Sequence, residues 1–287
     1  MIQVISVIAY LVGAPLLGGF LDGCDRTVSA RMQGRQGPPL LQPFYDLSKL
    51  FHKQILAVNS LQLLLNLCYL VLLAIAGAML FAGADILMCL FILSTADMFL
   101  IVAAASDSSP YSSIGANREM IQVMACEPLT LLMAVGFYLT TGSFQVKDII
   151  AQPISAVVMM PGLLFGFFVI MAVKLRKSPF DCATSHHAHQ EIVKGLTTEM
   201  SGPTFAIMNI AEYYEIILML GIVAIFFINA TWWSWIVALV LCAVAFFLET
   251  LWDNISARLK WMTLFKGCWI VTLLAGGINI LVLMLIR

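Results

Sequence analysis

The chain has 287 residues, of which 61% are hydrophobic and only 11% charged. Soluble domains carry about 25% charged residues, so fifteen basic and sixteen acidic groups exclude a soluble globular enzyme and a disordered chain. A net charge of −1 gives no footprint for nucleic acid, and the remaining solvent is a lipid bilayer. At roughly 20 apolar residues per crossing, this length allows at most about ten helices.

In chain order, charge-poor windows predict eight membrane spans: 2–23, 60–82, 86–105, 114–140, 155–174, 204–229, 231–250 and 262–286. The first charge is Asp22. A secretory signal would carry basic residues before its apolar stretch, so residues 2–21 read as a retained first helix. The seams are polar or contain helix breakers. No internal repeat of the kind many transporters carry is visible. The expected fold is all-α: one integral membrane domain, 1–287, a polytopic transmembrane bundle of eight helices with two long loops, 24–59 and 175–203. Both loops mix Gly, Pro, Arg and apolar residues, the composition of docking surfaces. Loops this long are uncommon unless functional.

An eight-span chain has both termini on one side. Thirteen of the fifteen Lys and Arg residues then fall on the other side, leaving Lys147 and Arg287. The positive-inside rule makes the thirteen-charge side cytoplasmic and places both termini on the outer side of a cell membrane. Trp232, Trp233 and Trp235 fit an outer aromatic belt.

Ionisable groups inside spans are costly and mark pathways by default. Glu212 and Glu215 are spaced i, i+3. Glu249 and Asp253 are spaced i, i+4. Glu119 and Glu127 lie two turns apart, and Asp97 sits in mid-span without a local partner. Carboxylates held close in low dielectric cannot both ionise easily, so such a set suits ion translocation. Its bland counterpart is a set of helix-end acids paired with loop cations. For Glu127, Glu212 and Glu215 no Lys or Arg is near in sequence.

The seven cysteines form no CxxC, so no metal or iron–sulfur site is expected in this chain. His186, His187 and His189 with Glu191 offer suitable ligand types. Only His187 and Glu191 share a helical face at i, i+4, so the run reads as a polar partner interface and no metal site. Nucleotide-binding motifs are absent. The tripeptides beginning at Asn229 and Asn254 fit glycosylation sites only as chance patterns.

Three segments carry a resemblance. Residues 30–50 read Ala-Arg-Met-Gln-Gly-Arg-Gln-Gly-Pro-Pro-Leu-Leu-Gln-Pro-Phe-Tyr-Asp-Leu-Ser-Lys-Leu, and residues 113–119 read Ser-Ile-Gly-Ala-Asn-Arg-Glu. Lys177-Ser-Pro-Phe-Asp181 is followed by Glu191, Gly195, Thr198-Glu-Met-Ser-Gly202 and Ala211-Glu-Tyr213. In order and topology these resemble the signatures of the respiratory complex I subunit 1 family. After Asp181 the quinone-using enzymes are usually rich in acids. Here the stretch reads Cys-Ala-Thr-Ser-His-His-Ala-His-Gln, which resembles the branch of membrane-bound, energy-converting [NiFe]-hydrogenases.

The resemblance implies a non-catalytic subunit of an oxidoreductase complex, without a cofactor of its own. It implies a [NiFe] centre and [4Fe-4S] clusters in partner subunits. Those partners are the hydrogenase large and small subunits, a ferredoxin-like iron–sulfur subunit and an antiporter-like membrane subunit. It carries Glu119, Glu127, Glu212 and Glu215 over as path members. Arg26, Arg31, Arg35, Asp46, Lys49, Arg118, Lys177, Asp181, Glu191 and Glu199 go to the docking and coupling loops. A quinone-chamber subunit of an NADH dehydrogenase-like complex and a stand-alone secondary transporter stand as alternatives.

Overall fold

The computed structural model describes residues 2–54, 59–180, 183 and 194–286. Among them it is all-helical: α1 Ile2–Met32, α2 Gln42–Phe51, α3 Ser60–Phe81, α4 Ile86–Ala105, α5 Pro110–Thr141, α6 Val146–Ile150, α7 Ala156–Met159, α8 Pro161–Lys174, α9 Pro203–Phe227, α10 Trp233–Ile255, α11 Trp261–Val271 and α12 Ile278–Ile286. Among the described residues seven helical stretches are long and apolar enough to cross a membrane, with α11 to α12 counted as one 26-residue helix through a π-helical turn at Thr272–Gly277. The fold is an all-α polytopic membrane bundle.

The core is built where α3 packs on α4 and α9, and α4 on α5. α1 lies against α9, α3 and α10, while α8 and α11 lean on α5. Tyr69, Leu73, Leu100, Met133, Phe137, Phe167 and Phe226 are fully buried there. The outer faces are apolar as well: Leu239 is 72% and Leu285 86% exposed, as lipid-facing positions are. Close approach of α1 to α3 needs Gly77, where a Cβ would lie 2.0 Å from the Tyr10 hydroxyl oxygen.

Several expected boundaries move. The first helix does not stop at 23 but continues to Met32, so Arg26 and Arg31 are helical. It ends at Gly34, whose φ of +71° a side chain would resist. The first loop shrinks further because α2 folds within it, opened by Pro43 at a position where a missing N–H costs nothing. The fifth span, expected as one helix over 155–174, is broken between Met159 and Pro161 into α7 and α8, since proline cannot donate to the preceding turn. α8, at 14 residues, is short for a crossing on its own.

Hydrogen bonds fix which turns share an end. Ile86 N–H donates to the Phe144 carbonyl, Ala230 N–H to Gln152, and the Ser6 hydroxyl to Phe81. The turns 82–86, 142–155 and 228–232 therefore gather at the end where α1 begins. At the other end Asn59 bonds Ser106, Ser178 N–H bonds Asp253, and Gln33 bonds Asn254.

Candidate functional site: a row of buried charges

The turn after α8 organises the second end. Lys177 N–H donates to the Ala172 carbonyl and Arg176 N–H to Val173, a Schellman closure of the helix. The residue that such a closure holds in the left-handed region is usually glycine. Here it is Arg176, with φ of +52°. A side chain there costs roughly 1–2 kcal/mol. What it gains is aim: the buried guanidinium reaches Glu119 Oε1 through Nη2 at 3.0 Å and Nε at 3.3 Å, and Glu212 Oε1 through Nη1 at 3.2 Å. Burial opposes the charge of Arg176. Glu119, the Tyr69 hydroxyl, Glu215 and Glu212 outweigh it and hold the guanidinium protonated above its ordinary value.

The row extends on both sides. Lys174, the last residue of α8, is buried and pairs with Asp97 of α4. The Tyr69 hydroxyl of α3 donates to Glu215 Oε2 at 3.2 Å, and Glu215 is buried. Towards the surface, Arg26 bridges Asp22 at 2.8 Å and Asp46 at 3.0 Å. The inner part therefore sets four carboxyl groups, Asp97, Glu119, Glu212 and Glu215, against two cations. Glu119 Oε2, Glu215 Oε1, Gln122 Oε1 and Asn66 Oδ1 are buried and receive no hydrogen bond among the described residues. Every one of these is an acceptor. The arrangement is suited to take up protons or the donors that carry them.

Sequence spacing brought Glu212 and Glu215 together, and the structure sends them to different partners, Arg176 and Tyr69. Asp97, without a partner in sequence, finds Lys174 across the bundle. Glu127, half-buried beside Pro128 in α5, lies two turns beyond Glu119. Glu249 and Asp253 share a face of α10 in a separate cluster. There Asp253 Oδ1 accepts from Ser178 N–H at 2.7 Å, Lys177 pairs with Asp25, and the Thr250 hydroxyl donates to Asp25 at 2.7 Å. Lys174, Arg176, Tyr69, Asp25 and Asp22 were missed as site members. The usable signal for the first two was a pair of cations closing an apolar span.

Of the loop residues, Arg31, Arg35, Lys49 and Glu199 are exposed. Arg26 and Asp46 pair with each other, and Lys177 turns inward. Arg118 is half-buried one residue before Glu119. Asp181, His186, His187, His189 and Glu191 lie outside the described residues.

The sequence pattern described as NADH dehydrogenase matches residues 4–284. Hydrogenase-4 component C of Escherichia coli K12 is 28% identical over 223 residues, 71% of this chain and 69% of that one. NADH-ubiquinone oxidoreductase chain 1 of Paracentrotus lividus is 30% identical over 249 residues, 80% and 76% of the two chains. In fold, a chain from the membrane-bound sulfane sulfur reductase, an archaeal respiratory membrane complex, superposes with a TM-score of 0.88 at 20% identity, over 99% of this chain and 100% of the other. With its three signatures in order and nearly its whole length matched, the chain belongs to the NADH dehydrogenase family, that of subunit 1 of respiratory complex I.

Proposed function

We propose that this chain is the membrane-anchor and ion-coupling subunit of a ferredoxin-dependent, energy-converting [NiFe]-hydrogenase complex. It links electron transfer and H2 formation in a soluble arm to H+ or Na+ translocation in the membrane arm. The observation that carries this reading is the row of Lys174 on Asp97 and Arg176 on Glu119 and Glu212, buried at Lys174, Asp97, Arg176 and Glu119. Stability alone does not ask for it, since a buried ion pair of this kind is often no better than an apolar substitute.

In this reading the charged end faces the cytoplasm and both termini lie outside, in keeping with the basic residues gathered there. The exposed Arg31, Arg35, Lys49 and Glu199 meet the hydrogenase large and small subunits. A ferredoxin-like iron–sulfur subunit feeds them electrons. The nickel–iron centre and [4Fe-4S] clusters sit in those partners, and the row hands its ion to an antiporter-like membrane subunit.

A relative named NADH-ubiquinone oxidoreductase favours a second reading, a quinone-chamber subunit. Nickel in the complex isolated through this chain supports the first reading, and its absence supports the second. The coupling role is tested by Glu212→Gln in sealed vesicles. The variant is expected to assemble and evolve hydrogen while moving several-fold fewer ions per H2. Unchanged pumping at unchanged turnover refutes it.

A further inference from the structure

Glu249 stands apart from the row around Arg176. It lies near the end of α10, is 0% exposed, and neither of its carboxyl oxygens receives a hydrogen bond among the described residues. Two donors of this cluster are committed elsewhere. The Thr250 hydroxyl serves Asp25 Oδ1 and the Phe246 carbonyl, and the Ser178 N–H serves Asp253 Oδ1. The charges that act on Glu249 are Lys177, from the turn after α8, and Asp253, one turn along its own helix. Lys177 is already paired with Asp25 of α1. Of the three carboxyl groups, Asp25 holds the ammonium, Asp253 holds the next backbone N–H, and Glu249 has neither.

An ionised carboxylate is acceptor-only and, out of water, demands several donors. A neutral carboxylic acid demands far less and brings a donor of its own. The alternative counter-charge, a metal ion, needs convergent ligands, and among the described residues no group of three or more His, Cys, Asp or Glu is placed to hold one.

We propose that Glu249, with Asp253, Asp25 and Lys177 about it, is a second proton-binding site of this chain, separate from the Arg176 row. Its proton exchanges with the loop end through the half-buried Asp253. Lys177, which pairs with Asp25 in this cluster, is the neighbour of Arg176, which bridges Glu119 and Glu212. The two sites therefore meet at a single turn of backbone. The role of this site in ion coupling rests on the function proposed above, but the existence of the site does not.

Infrared spectroscopy of the purified complex in H2O and D2O tests the site without measuring pumping, so its failure is distinct from failure of the Glu212 experiment. At neutral pH the wild type is expected to show, in difference against Glu249→Gln, a deuterium-sensitive carboxylic acid C=O band equal to one group. Glu249→Gln abolishes that band, and Glu249→Asp restores it at a shifted frequency. Sodium chloride leaves the band as choline chloride does. A Glu249→Gln spectrum identical to the wild type overturns the proposal. So does loss of the band specifically in sodium, which would make this a sodium site. If Glu249→Gln fails to assemble, Asp253→Asn keeps Glu249 in place and is expected to move the pH midpoint of the band. An unmoved midpoint overturns the proposal.

Discussion

The two ends of the bundle solve the same problem by different means. At the end formed by 82–86, 142–155 and 228–232, the turns are stitched by backbone and short polar side chains. Asp85 Oδ1 caps α4 by accepting from Leu87 N–H at 2.8 Å and Met88 N–H at 3.3 Å. Val146 N–H meets the Ala84 carbonyl at 3.0 Å, and the Ser155 hydroxyl meets Phe227 at 3.0 Å. Such bonds satisfy groups that the helix ends would otherwise leave bare, and they bury no unpaired charge. At the other end the turns carry Lys174, Arg176 and Lys177 inward onto Asp97, Glu119, Glu212 and Asp25. Two methods of closing a bundle, side by side in one chain, show that the charges are not needed for closure.

The comparison breaks most visibly if charge is reversed at each end. Arg35 is exposed, and its backbone is fixed by an N–H bond to the Ala30 carbonyl at 2.9 Å. If the charged end is the dock, Arg35→Glu leaves an opposing charge unpaired at the interface, at a cost of roughly 2–5 kcal/mol. The soluble subunits are then expected to stop co-purifying with this chain. Lys147→Glu, at the opposite end, leaves co-purification unchanged. Retention of both arms in Arg35→Glu at high salt excludes that loop as the dock.

A smaller effect is expected at Arg176, where two terms compete. Arg176→Gly relieves the left-handed backbone by roughly 1–2 kcal/mol. It also leaves Glu119 and Glu212 without their cation, and breaking a buried pair costs about 3–5 kcal/mol. The second term wins, so the variant is destabilised by about 1–4 kcal/mol in thermal unfolding of the solubilised complex. An Arg176→Gly protein more stable than the wild type would mean that the ion pairs contribute nothing.

How much of this was legible in sequence also differs between the ends. The spans expected at 60–82 and 86–105 are α3 and α4 almost residue for residue, because charge-poor runs there follow the capping residues Asn59 and Asp85. The overlong α1 was hidden because hydropathy reads composition, and its last third is polar yet helical. The carboxyl groups of the site stood out singly, as charges in apolar runs. Their partners did not, because Arg176 is 57 residues from Glu119 and Lys174 is 77 from Asp97. Nothing local marks an arginine that will occupy a position usually given to glycine.

At the neutral end the expected losses are smaller. Asp85→Ala removes only a helix cap, worth about 1 kcal/mol. The expected result is a modest fall in melting temperature with ion translocation per H2 unchanged, and a loss of coupling would show that this end too takes part.

The smallest effect sharpens the contrast through pH. Asp107 lies in the turn 106–109 at the charged end, where its carboxylate accepts from the Gln62 amide. Partial burial and the negative charge of Glu199 hold its pKa above the ordinary value, against that hydrogen bond. A carboxyl with a raised folded pKa binds its proton more tightly folded than unfolded. Its contribution is therefore fully present below the unfolded pKa, at about pH 4, and is lost as pH rises through the folded value. Asp107→Asn removes that dependence and still offers Gln62 an acceptor oxygen. Relative to wild type, the variant should gain melting temperature as pH rises from acid toward neutrality. A relative melting temperature that falls with rising pH would mean that the fold favours the charged form of Asp107, and that Glu199 is too well screened to oppose it.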